Sequence, residues 1–72
     1  MLRNMEADRV EVTRDEQHKR WLIRIQIGEE VIRRYTHEPK DASQDTLRIA
    51  AVKIAGDEGY TVNPAHIVVS RP

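Results

Sequence analysis

Six basic residues crowd the stretch between His18 and Lys40: Lys19, Arg20, Arg24, Arg33, Arg34 and Lys40, against the three acids Glu29, Glu30 and Glu38. That stretch carries +3, and the rest of the 72-residue chain carries −3, because twelve basic and twelve acidic residues cancel overall. Guanidinium groups suit phosphate oxygens, since their planar fork donates charge-assisted hydrogen bonds in pairs. Lys19, Arg20, Arg24, Arg33 and Arg34 are therefore the candidate nucleic-acid contacts, with Tyr35 or Trp21 available for stacking. The plain alternative is a solvated face with scattered arginines. A zero net charge also removes the global positive field of a dedicated nucleic-acid binder.

Other chemistry is harder to assemble. Nucleophilic catalysis needs an activated side chain beside a base and an orienting group. The serines are Ser43, at an expected helix start, and Ser70, near the C-terminal end; Ser43 reads as a cap. The three glycines are single and scattered, so nothing cradles phosphate. His18, His37 and His66 fall in separate segments without metal-ligand spacing, and cysteine is absent. Carboxylates such as Asp15, Glu16, Glu29 and Glu30 sit among charged neighbours in turns, where they stay solvated and ionised, unlike a buried general acid. No enzyme activity, cofactor or metal is expected.

The elements that must position these residues follow from periodicity. In Trp21-Leu-Ile-Arg-Ile-Gln-Ile27 the apolar residues Trp21, Ile23, Ile25 and Ile27 stand at every second position. A period of two marks a strand with one buried face, which turns Arg24 outward. Gly28-Glu29-Glu30 then leads into Val31–His37, a second β-branched run, so the pair forms a hairpin. A two-residue loop sets Ile25 opposite Ile32 and Leu22 opposite Tyr35. A three-residue loop sets Ile27 opposite Val31 and Ile23 opposite Tyr35, and it puts Arg34 across from Arg24. The longer loop is preferred, because it gathers Trp21, Ile23, Ile27, Val31 and Tyr35 on one face, although Arg33 then faces the core.

Arg9–Thr13 alternates as a short earlier strand, and residues 1–8 read as a flexible lead-in to a single domain spanning 9–72. Met5 is a possible alternative start. Leu47, Ala50, Ala51, Ile54 and Ala55 recur at three- and four-residue steps, which predicts an amphipathic helix. Asp41 or Ser43 can cap its start, with Gln44 completing a capping box for Asp41; Gly59 suits its left-handed end. Ile49, Val52 and Gly56 project away from the apolar stripe. They form the candidate protein-interaction patch, unless Val52 tucks under the final strand. Tyr60–Val62 is a short extended piece. His66–Ser70 is a last strand whose continuous apolar centre suggests cover on both faces.

The expected architecture is thus α+β and two-layered: a three-stranded antiparallel meander, one helix, then a strand returning parallel to the third or the first. In outline this order is similar to the three-stranded arm-binding domain of some phage-type integrases and to the strand–helix half of double-stranded RNA-binding domains. The helix start here, Ser43-Gln-Asp-Thr46, lacks the lysine cluster of the RNA-binding family, and that family's N-terminal helix is absent.

The longest apolar run, Ile49–Val52, is far short of the ~18 residues a membrane span needs, and the N-terminus lacks a signal-like apolar stretch. A cytoplasmic location is expected. The leading functional expectation is a protein-interaction or self-associating domain, using the helix patch or a free sheet edge. A nucleic-acid-binding module using the arginine-rich sheet face is the alternative.

Overall fold

A computed structural model describes residues 5–70. Its elements are β1 (Met5–Glu6), β2 (Arg9–Asp15), β3 (Arg20–Ile27), β4 (Glu30–Thr36), α1 (Gln44–Asp57), β5 (Tyr60–Thr61) and β6 (Ile67–Ser70), with a short 3-10 turn at Pro64–His66. The main sheet has the order β4-β3-β2-β6. β2, β3 and β4 form the expected antiparallel meander, and β6 returns parallel to β2, the first of the three long strands.

Alternation decides which residues fill the core. Val10, Val12, Trp21, Ile23 and Ile25 are completely buried on one sheet face, where α1 lays Leu47, Ala51 and Ala55 over them. Alanine at two of those three helix positions lets α1 lie close to the sheet. Ser43 caps the helix, its Oγ accepting from the Thr46 N–H at 3.1 Å; Asp41 does not. At the other end Gly59, at φ +92°, takes the left-handed conformation that an L side chain resists.

Three expectations need correction. The hairpin uses the two-residue loop Gly28-Glu29, with Ile27 opposite Glu30, Ile25 opposite Ile32 and Leu22 opposite Tyr35. Gly28 at φ +59° supplies the first central residue of a primed turn, whose twist matches that of the strands. Its N–H also donates to Asp8 Oδ2 at 2.6 Å, which anchors the turn from outside the hairpin. Arg24 therefore stands across from Arg33, not Arg34, and Val31 and Tyr35 leave the core face.

The lead-in is also partly built into the fold. Met5–Glu6 pairs parallel with Tyr60–Thr61, and Ala7 is buried; residues 1–4 of the expected lead-in lie outside the described residues. Finally, β6 is an edge strand, not one covered on both faces, and Val68 is 42% exposed. Its apolar run reflects β-branched propensity on a short edge, where one face meets α1 and the other meets solvent.

Candidate functional site

The face of the sheet away from α1 has no covering layer among the described residues. The register places Arg9, Glu11, Thr13 and Asp15 of β2 on it, with Arg20, Leu22, Arg24 and Gln26 of β3, Val31, Arg33 and Tyr35 of β4, and Val68 of β6. At its centre Arg24 and Arg33 are direct cross-strand neighbours. Like charges so placed repel. Arg24's other neighbour is Glu11 on β2, but the Glu11 carboxylate pairs with Arg9 at 3.3 Å. Neither Arg24 nor Arg33 forms an ion pair among the described residues. Arg24 is half-buried, and its Nε is shut off from solvent without a hydrogen-bond partner among them. A guanidinium in that position is short of an acceptor.

One end of this face carries a polar clasp. Asp15 Oδ2 accepts from His18 Nδ1 at 2.8 Å and from the Tyr35 hydroxyl at 3.0 Å, while Oδ1 accepts from the His18 backbone N–H at 3.1 Å. The His18 ring bond, then its backbone bond, hold the Asp15 carboxyl below the usual carboxylate range, and the bond to Asp15 raises the Tyr35 phenol. Arg20 lies over the Tyr35 ring, 6.0 Å from its centroid. The clasp ties the β2–β3 turn to β4 and tethers the Tyr35 hydroxyl, leaving that residue 40% exposed.

The candidate cations divide. Arg20, Arg24 and Arg33 meet on the open face. Lys19 lies just off it, in the β2–β3 turn, where it adopts φ +53°. Arg34 is on the opposite face: it pairs with Glu58 at 3.0 Å and hydrogen-bonds the Arg33 carbonyl at 2.8 Å. The one-residue difference in loop length exchanged the roles of Arg33 and Arg34. Arg14, also inward, lies 5.6 Å from the Trp21 ring centroid and pairs with Glu16 at 3.0 Å. Its guanidinium, followed by Lys40, holds the Glu16 carboxyl below the usual range.

The helix patch is smaller than its sequence suggests. Ile49 is 70% exposed, but Val52 is half-buried against the core, and Gly56 adds only exposed backbone. No group of three or more His, Cys, Asp or Glu side chains comes together to hold a metal ion among the described residues, and Ser43 serves as a helix cap.

Sequence reasoning missed Arg9, Leu22 and the Asp15–His18–Tyr35 clasp. An Asp three residues before a His at a strand-to-strand turn was the available signal for the clasp, because Asp side chains bond to turn N–H groups close by in sequence. No protein-family model matches the chain, and neither a curated protein nor a solved structure matches it.

Proposed function

We propose that this chain is a non-catalytic binding module whose open sheet face holds a nucleic-acid backbone. The observation that carries this reading is the Arg24–Arg33 pair, two arginines directly opposite across β3 and β4, neither of which forms an ion pair among the described residues. A phosphate bridging the two side chains from the solvent side relieves their repulsion. Arg20 and Lys19 extend the positive surface toward Tyr35, whose part-exposed side chain is available to a base adjoining that phosphate. The balanced net charge is no obstacle at this range, since exposed charges are screened beyond ~8 Å at physiological salt and a bound phosphate responds to its immediate neighbours.

The test is fluorescence anisotropy with labelled single-stranded and duplex oligonucleotides across a salt series. Wild type binds at low salt and weakens as salt rises. The double variant Arg24→Ala plus Arg33→Ala loses about tenfold or more in affinity, and its log–log salt slope becomes shallower by about 1.5, as expected for two lost phosphate contacts. Absence of binding at low salt, or an unchanged slope in the double variant, refutes the reading.

A protein contact through α1 is the second reading, favoured by the exposure of Ile49 between two shallow grooves. Ile49→Glu is its probe, in preference to Val52→Glu, because Val52 also packs on the core. On the nucleic-acid reading Ile49→Glu binds oligonucleotide as wild type does.

A further inference from the structure

β4 lies at the edge of the sheet, with no strand on its outer side among the described residues. Its two-residue turn makes Ile27–Glu30 the closing hydrogen-bonded pair, so residues 30, 32, 34 and 36 direct their backbone groups to β3. Val31, Arg33 and Tyr35 direct theirs outward. The Arg33 carbonyl agrees with this assignment, since it accepts from the Arg34 side chain, not from β3. An exposed edge of this kind is a template for another strand.

We propose that β4 pairs antiparallel with β4 of a second copy of this chain, about a two-fold axis at Ile32. The choice of register rests on charge. With the axis at Arg33, that arginine faces its own copy and Ile32 faces Arg34. With the axis at Arg34, two copies of Arg34 collide. An axis at Val31 brings Gly28 opposite Arg34 and sets Glu29 opposite Arg33, but Glu29 belongs to the turn and not to β4, so that register pairs fewer strand residues. With the axis at Ile32, Ile32 meets Ile32, Val31 meets Arg33, and each Glu30 meets the second copy's Arg34. No like charges then stand directly opposite across the seam, and an opposite-charge pair forms twice.

The surroundings suit this arrangement. Glu30 is exposed and forms no ion pair among the described residues. Arg34 has Glu58 on the helix side and room for a second carboxylate on the edge side, because half of its side chain is exposed. α1 packs over β2 and β6, which leaves a groove of about 380 Å³ between the helix and the β4 end of the sheet, floored by Ala50 and Ile54 and bordered by Thr36. Ile32 on β4 is only partly buried against the core, and a second Ile32 would complete its cover. The joined sheet would also carry two Arg24–Arg33 pairs on one continuous open face. The inference stands apart from the nucleic-acid reading, because it uses the edge and inward side of β4, not the outward arginines.

Sedimentation equilibrium up to near-millimolar concentration tests it. Wild type forms a dimer. Glu30→Arg sets like charges against each other twice and weakens the dimer by about tenfold or more. Val31→Pro removes an outward donor that the monomer does not use, and it gives a monomer with an unchanged circular dichroism spectrum. Register is read separately. The chain has no cysteine, and Ile32 on the axis falls in a non-hydrogen-bonded pair with Cα atoms about 4.5 Å apart, close enough for a disulfide. Ile32→Cys therefore oxidises to a covalent dimer. A strictly monomeric wild type, or a dimer indifferent to both Glu30→Arg and Val31→Pro, overturns the proposal; failure of Ile32→Cys to cross-link while wild type dimerises overturns the register.

Discussion

Arg24 is where stability and binding conflict. It stands between Leu22 and Gln26 on the open face, its Nε is buried without an acceptor among the described residues, and Arg33 is its cross-strand neighbour. A methionine keeps the apolar stem and removes both the charge repulsion and the unmet donor. Arg24→Met is expected to raise stability by about 1 kcal/mol, or roughly 4–8 °C in Tm for a domain of this size, while oligonucleotide affinity falls. Thermal melts and anisotropy on the same preparation check both halves. A variant that loses stability would show that Arg24 is held for packing, not for a ligand. The alternation of Ile23 and Arg24 was fully legible from residue type, because strand geometry leaves no choice once one face is buried. The partner of Arg24 was not legible, since a single residue of loop length decides between Arg33 and Arg34.

At the scale of elements, the hairpin and helix were written in local pattern, while their joints depended on tertiary contacts. Two possible loop lengths at Gly28-Glu29-Glu30 left the register open, and Gly28 settled it through its positive φ and its bond to Asp8. The pairing of Met5–Glu6 with Tyr60–Thr61 was hidden because two-residue strands have no period to detect. The Asp15 clasp likewise joins a turn to a strand twenty residues away. Its pH dependence follows from the direction of the shift. Folding lowers the Asp15 pKa, so the clasp's full contribution is present above the unfolded carboxylate range and is lost as pH falls through the lower folded value. Asp15→Asn is thus less stable than wild type at neutral pH, and the difference closes at low pH, where both side chains are uncharged. Fluorescence of Trp21, the single tryptophan and completely buried, reports the unfolding. A difference that persists unchanged in strong acid would contradict the clasp.

For the molecule as a whole, one helix over one sheet leaves a large face uncovered, and no helix among the described residues is long and apolar enough to cross a membrane. A chain of this length buries a single core and little else. The surfaces it leaves open to a partner are the open sheet face with Arg24 and Arg33, the β4 edge, and Ile49 on the far side of α1. These lie in different directions, so one measurement separates them. An amide-resolved NMR titration with a single-stranded oligonucleotide at low salt maps the contact directly. The expected result is shift changes concentrated at Lys19–Gln26 and Val31–Tyr35, with α1 unperturbed. Changes centred on α1 around Ile49, or none at all, would contradict the assignment of the open sheet face as the nucleic-acid site.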